Sequence, residues 1–241
     1  AGHAALARFQ AADNTEPVKL SLLFDGNHFL HRSLSVAGTA KEAECGKALD
    51  FVDDPEGDRR ALLVRMSEMF TAEVNKFQRS VCQVVYCVDS PSWRKVAFPS
   101  DDYKGNRAKD DSVDWGKIRD AYIEFQQGLE KSGVVVARTK GAEADDLLFY
   151  WSQALNHWAG RSAVIVSGDG DLLQLVGRDQ ATGAFTLVYN KLQSTLNVFP
   201  GFNEWLNSAG SGQALDVFDD FSSVFGDDRD RLRDAVKALG A

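Results

Sequence analysis

The sequence predicts an α/β protein with a mainly parallel central sheet flanked by helices, and two observations carry that prediction. Four short apolar runs, Val18–Phe24, Val81–Val88, Gly133–Ala137 and Ala163–Val166, read as buried strands. Between them lie helical patterns of more than ten residues, the length that crossovers between parallel strands require.

In chain order, the first strand is closed by Asp25-Gly26-Asn27, a turn-forming triplet. Ala37–Gly57 mixes Gly, Glu, Asp and Lys and reads as an irregular, mostly exposed insertion. Over Arg59–Phe77, the residues Leu62, Leu63, Met66, Met69, Phe70, Val74 and Phe77 keep the i, i+3, i+4 rhythm of one apolar helix face. Trp115–Lys131 repeats the pattern with Ile118, Tyr122, Phe125 and Leu129, and Gly133 suits the helix end. Ala144–Trp158, rich in Leu, Phe and Trp, predicts a largely buried helix. Phe185–Tyr189 and Ser194–Phe199 predict a hairpin. After Pro200 the strand signal stops, and the Gly-Ser-rich stretch Ser208–Gly212 marks a linker. The expected division is a main domain over residues 1–207 and a short helical tail over 213–241.

A chain of 241 residues with 44% hydrophobic and 26% charged residues excludes disordered and collagen-like classes. The three cysteines, Cys45, Cys82 and Cys87, are an odd, sparse set that predicts reduced thiols and a cytoplasmic compartment. No stretch approaches the ~18 apolar residues of a membrane span. Ala1–Pro17 lacks the basic and apolar regions of an export signal, so neither insertion nor export is expected.

Three predicted strands are followed at once by acid: Asp25, Asp89, and the pair Asp169 and Asp171. In a parallel sheet these ends lie on one edge, where ligands of open α/β folds bind. Glu143, Asp145 and Asp146 add three more at the start of a helix, where the backbone dipole also favours acid as a simple cap. Any one of these aspartates alone reads as a turn residue. Together they would repel one another unless protonated or neutralised, and hard divalent ions are the natural remedy. Carboxylate oxygen suits Mg²⁺ or Mn²⁺, whereas zinc would recruit His or Cys. Two such ions form the usual clamp for phosphodiester hydrolysis. These seven acids account for −7 of the formal net charge of −8, so the acidic total says little against a nucleic-acid partner.

Ser92–Lys109 carries Arg94, Lys95, Lys104, Arg107 and Lys109 against Asp101 and Asp102. Such a basic excess beside the Asp89 strand end suits a phosphate backbone, and Trp93 and Tyr103 offer faces for an unstacked base. The plainer alternative is a solvated loop with Trp93 packed as core.

These segments resemble the 5′-nuclease superfamily. Phe24-Asp25-Gly26-Asn27, Val88-Asp89-Ser90 through Trp93-Arg94-Lys95 to Tyr103-Lys104-Gly105-Asn106-Arg107, Glu143-Ala144-Asp145-Asp146 and Ser167-Gly168-Asp169-Gly170-Asp171 are similar to its successive motifs. The likeness covers about residues 18 to 200 and is nearest to phage 5′-3′ exonucleases, flap endonucleases and the phage-type RNase H that trims primers. It implies a PIN-like nuclease domain that cuts phosphodiesters with two Mg²⁺ or Mn²⁺ ions. By motif, Asp25, Asp89, Glu143 and Asp145 would hold the first ion, and Asp146, Asp169 and Asp171 the second. Lys104 and Arg107 would grip the scissile phosphate, and Tyr103 would stack on the terminal base. Trp93, Arg94, Lys95 and Lys109 would complete the nucleic-acid surface. The implied partners are DNA with 5′ ends or flaps and RNA–DNA hybrid, met by a monomer working with replication proteins, in the host cytoplasm if phage-encoded. Gly226-Asp227-Asp228-Arg229-Asp230-Arg231 resembles the start of the family's duplex-binding module, but Arg stands where Asn is expected, and a capped surface helix is the preferred reading.

Two other classes remain open at the level of sequence. One is a non-catalytic nucleic-acid-binding subunit on the same scaffold. The other is a HAD-like phosphatase, against which Asn27 stands where a second Asp is required. His28 and His31 follow Asp25 and read as helix-surface or packing residues.

Overall fold

In the computed structural model, the described residues are 20–47, 49–77, 81–94, 113–190, 195–197 and 199. In chain order they form β1 (Leu20–Asp25), α1 (Gly26–Cys45), α2 (Pro55–Lys76), β2 (Val81–Cys87), α3 (Trp115–Lys131) and β3 (Val135–Ala137). There follow α4 (Ala144–Gln153) with a π-helical turn over Ala154–Trp158, and then β4 (Ser162–Val166). A 3₁₀ segment (Gly170–Leu175), β5 (Gly177–Arg178), β6 (Phe185–Asn190) and β7 (Thr195–Asn197) complete the order. The strands are ordered β3-β2-β1-β4-β6-β5, with β7 on β6. β2 pairs β3 and β4 pairs β6 in parallel, whereas β5 and β7 pair β6 antiparallel. The mainly parallel α/β sheet and the hairpin of β6 and β7 agree with the sequence reading.

The chain divides into two compact units, one of residues 24–73 and 84–150 and the other of the remaining residues. In the first, α2 buries Leu62, Met66, Met69 and Phe70, α3 buries Ile118, Ala121, Phe125 and Leu129, and Phe70 and Phe125 join an aromatic cluster. Phe24 lies 4.7 Å from Phe70, and Phe29 stacks on Phe125 at 5.9 Å between centroids. Tyr86 meets Phe29 and Phe125 edge-on, each at 5.8 Å. Fully burying rings of this kind stabilises by roughly 1.5–3 kcal/mol each, which fixes the end of β1 against the end of β2. In the second unit, β4 and β6 form an apolar core that Asn156 ties to its neighbours. Its Nδ2 donates to Arg161 O and Phe185 O, at 2.9 and 3.1 Å, and Thr186 Oγ1 donates to its Oδ1 at 2.7 Å.

Two expectations are corrected. Ala37–Gly57 is not an irregular insertion: α1 runs on to Cys45 and ends at Gly46, whose φ of 68° suits a glycine C-cap. Beyond it, buried Asp58 accepts from the N–H groups of Asp50 and Phe51 at 3.2 and 2.9 Å and pairs with Lys41, and Phe51 is buried with φ 65°. α4 is not largely buried either. Leu147 and Leu148 face the core, but Phe149, Tyr150 and Trp158 are exposed, because a helix apolar on most sides still offers only one stripe to its neighbours. Among the described residues no helix is long and apolar enough to cross a membrane. The linker, the tail over 213–241 and the segment from Lys95 to Lys109 lie outside the described residues.

Candidate metal centre

β1 ends in Asp25, which caps α1 with extended backbone (φ −76°, ψ 102°) and accepts from the N–H of His28 at 3.0 Å. The cap satisfies one of the helix's unpaired amides and leaves a carboxylate that is only 4% exposed. Glycine is obligatory at the next position. A Cβ on Gly26 would stand 2.4 Å from the carbonyl oxygen of Cys87 and 2.6 Å from Tyr122 Oη. Tyr86 Oη donates to the Gly26 carbonyl at 3.3 Å, so the turn after β1 is seated directly on the end of β2.

Past Cys87 the chain laces onto the segment that leads into α4. Val88 N donates to Ala137 O at 2.9 Å, Ser90 N to Ala142 O at 3.0 Å, and Trp93 N to Gly141 O at 2.8 Å. Gly141 N returns a bond to Ser90 Oγ at 3.1 Å, with the left-handed φ of 89° that glycine adopts without strain. Asp89 accepts from the N–H of Ala144 at 2.7 Å, capping α4 from 55 residues away. Asp146 Oδ2 accepts from the N–H of Glu143 at 3.0 Å, the backward half of a capping box.

Glu143 is 6% exposed, and a carboxylate so placed needs a counter-charge and hydrogen bonds. Arg94 supplies them. Its Nη1 donates to Glu143 Oε2 at 2.6 Å and to Asp146 Oδ2 at 3.2 Å, and its Nη2 donates to Asp146 Oδ1 at 2.8 Å. Ser92 Oγ donates to the same Glu143 oxygen at 3.1 Å and accepts from Arg94 N at 3.2 Å. The guanidinium carbon also lies 5.1 Å from the centroid of the Trp93 ring, within cation–π range. Burial opposes ionisation of Asp146, but the Arg94 hydrogen bonds, the Glu143 N–H and the guanidinium charge outweigh it and hold this carboxyl below the ordinary aspartate range. Burial pushes the Cys87 thiol and the Tyr122 phenol up, and the charge of Asp25 adds to both. These walls therefore stay neutral beside the acids.

Of the seven acids named from sequence, Asp25, Asp89, Glu143, Asp145 and Asp146 belong to one unit, on turns joined by the bonds above. Asp145 is exposed on the first turn of α4. Asp169 and Asp171 belong to the other unit, just past β4. Both are exposed, and Asp169 caps the 3₁₀ segment by accepting from Asp171 N at 3.0 Å. Among the described residues no group of three or more His, Cys, Asp or Glu side chains converges as a metal cluster. Asp25, Asp89 and Asp169 turn instead to backbone N–H donors, and Glu143 and Asp146 to the guanidinium, as mutually repelling charges do. The donor set nevertheless fits a hard divalent ion, being carboxylate oxygen alone, and Glu143 and Asp146 already clasp a cationic group.

Of the nucleic-acid residues, Trp93 is 47% exposed and Arg94 faces the acids. Lys95, Tyr103, Lys104, Arg107 and Lys109 lie outside the described residues. His28 and His31 sit on α1, with His31 exposed 6.1 Å from the Trp115 ring, as packing and surface residues do. Ser92 and Gly141 escaped the sequence reading. A serine two residues before an arginine, and a glycine two before the acid motif, are local signals too common to single out.

A family model described as the 5'-3' exonuclease, N-terminal resolvase-like domain, matches residues 20–199. This chain belongs to that family. Its fold is similar to the D15 protein of bacteriophage T5 co-crystallised with metal ions, at a TM-score of 0.50 and 16% identity over 78% of this chain and 61% of that one. Two further T5 structures match. The D15 flap endonuclease in a complex with DNA and metal ions has a TM-score of 0.48 and 14% identity over 81% and 62% of the two chains. The T5 5'-exonuclease with zinc bound has 0.47 and 13% over 81% and 63%. The chain thus spans about three-fifths of the length of these solved structures. No curated protein sequence matches it.

Proposed function

We propose that this family member is a metal-dependent 5′-3′ exonuclease and flap endonuclease that hydrolyses phosphodiesters at DNA or RNA–DNA 5′ ends. The observation that carries the reading is the interlocking of three acid-bearing turns. The Asp25-Gly26 turn is seated on Cys87, Asp89 caps α4, and Glu143 and Asp146 share one cation at the start of that helix. A structural role would not require acid at each of these points, with Asp25 and Glu143 buried.

Asp25, Asp89, Glu143 and Asp145 would hold a first Mg²⁺ or Mn²⁺ ion, and Asp146, Asp169 and Asp171 would serve a second. Bound there, such ions supply water activation and stabilisation of the leaving oxygen. Asp25 and Asp89, fixed by backbone N–H groups, keep their charges in place without reorganising, which is where preorganised electrostatics gains most. Lys104 and Arg107 would neutralise the scissile phosphate, Tyr103 and Trp93 would stack on bases, and Lys95 and Lys109 would follow the backbone. The catalytic domain would span residues 1–207, with the tail over 213–241 a remnant of a duplex-binding module. The protein would act in the cytoplasm as a monomer, in phage-type replication or primer removal.

A gel assay tests this with a 5′-labelled flap, a nicked duplex and an RNA–DNA hybrid, each with Mg²⁺, Mn²⁺ or chelator. Metal-dependent release of short 5′ products, abolished in D89N with unchanged circular dichroism, is the expected result. Salt-dependent binding without cleavage under either metal would make the chain a binding subunit. Faster turnover of a small phosphomonoester would make it a phosphatase.

A further inference from the structure

Arg94 stands on the very oxygens that the proposed function gives to metal. Glu143 Oε2, Asp146 Oδ1 and Asp146 Oδ2 all accept from its guanidinium. An oxygen that accepts an N–H at 2.6–3.2 Å cannot at the same time present that lone pair to a hard cation at about 2.1 Å. The guanidinium and divalent ions therefore compete for these oxygens.

We propose that Arg94 is an exchangeable counter-cation, a guanidinium that holds Glu143 and Asp146 until a divalent ion displaces it. The inference rests on the metal-dependent reading of this site. Three observations favour exchange over a permanent ion pair. The arginine side chain is 30% exposed, so it has an outward path. The guanidinium carbon already lies 5.1 Å from the centroid of the half-exposed Trp93 ring, a contact that can be kept when the carboxylate bonds are given up. The loops do not depend on Arg94 to stay joined, since Ser90 N to Ala142 O, Trp93 N to Gly141 O and Ala144 N to Asp89 Oδ1 hold them through backbone groups. In the metal-free protein the guanidinium keeps a buried glutamate from standing uncompensated. On metal binding it leaves, and its charge becomes available to the phosphate of a substrate.

The test is Mn²⁺ binding, followed by electron paramagnetic resonance on the full chain, for the wild type, R94M, R94K and E143Q. Exchange predicts that R94M, which keeps the apolar stem and removes the competitor, binds Mn²⁺ about tenfold more tightly. R94K falls between the two. R94M also melts lower than wild type without metal, and the gap closes at saturating Mn²⁺ because the ion replaces the lost charge. Equal or weaker Mn²⁺ binding by R94M overturns the proposal while leaving the metal site intact. No Mn²⁺ binding by wild type, or binding indifferent to E143Q, overturns the metal-dependent reading and the exchange with it. A second measurement needs no Arg94 variant. Mg²⁺ should change the tryptophan emission of wild type as the guanidinium beside Trp93 leaves the carboxylates and shifts against the ring, and W93F should lose that change; an emission untouched by saturating Mg²⁺ counts against exchange.

Discussion

The dipeptide Asp-Gly follows a strand twice in this chain, at Asp25-Gly26 after β1 and at Asp169-Gly170 after β4, and the two steps do different work. In both, the aspartate caps the segment that follows, through His28 N in one and Asp171 N in the other. Asp25 is buried, and its glycine is walled in by Cys87, Tyr122 and Tyr86. Asp169 is exposed, and nothing lies within 4 Å of where a Cβ on Gly170 would stand. The first step is built into a core, so its carboxylate cannot drift. The second is held by local bonds alone. Identical sequence chemistry therefore yields a fixed charge in one unit and an adjustable one in the other.

Activity should divide along that line most sharply. E143Q, which removes a buried charge beside the fixed set, is expected to lower single-turnover cleavage of a 5′ flap on the order of 10³-fold. D171N, on the exposed side, is expected to cost roughly tenfold to a hundredfold. Equal losses would break the distinction. Stability offers the next test. G26A forces a Cβ onto a backbone carbonyl and should destabilise by about 2–3 kcal/mol in urea denaturation, whereas G170A should stay within about 0.5 kcal/mol. The smallest effect belongs to Asp179, another locally held acid in the unit of Asp169. The N–H groups of Thr182 and Ala181, each at 2.9 Å, and His157 at 3.1 Å lower its pKa although partial removal from water opposes them. A lowered folded-state pKa gives stability that is complete above the ordinary aspartate value of about 4 and is lost as pH falls through the folded value. The melting-temperature gap between wild type and D179N should accordingly be present at neutral pH and shrink on acidification below that value.

Much of the scaffold was legible because its signals are periodic. The apolar runs of β1, β2 and β4 and the stripe of Leu62, Met66, Met69 and Phe70 can be read without knowing what they touch. The helix α1 was not, since the residues it buries are Gly26, Phe29, Leu30, Ser33 and Ala37, a face too small and polar to stand out as a stripe. The burial of α4 misled for the opposite reason: Phe149, Tyr150 and Trp158 add apolar character on sides that meet no core. The acids themselves were visible one by one as strand-end and helix-start residues. Their partners were not. Nothing in the spacing of Arg94 to Glu143 announces a contact across 49 residues, and Arg94 read equally well as a phosphate ligand beside Lys95.

The bond from the Ala144 amide to Asp89 has a bearing on biosynthesis. A ribosome that has released Asp89 must still make and release another 55 residues before the amide that orients that carboxylate exists. Until then the nascent polypeptide carries its acids on unfastened ends. The acids at the end of β1, after β2 and at the start of α4 are therefore fastened together only once the first turn of α4 has been made.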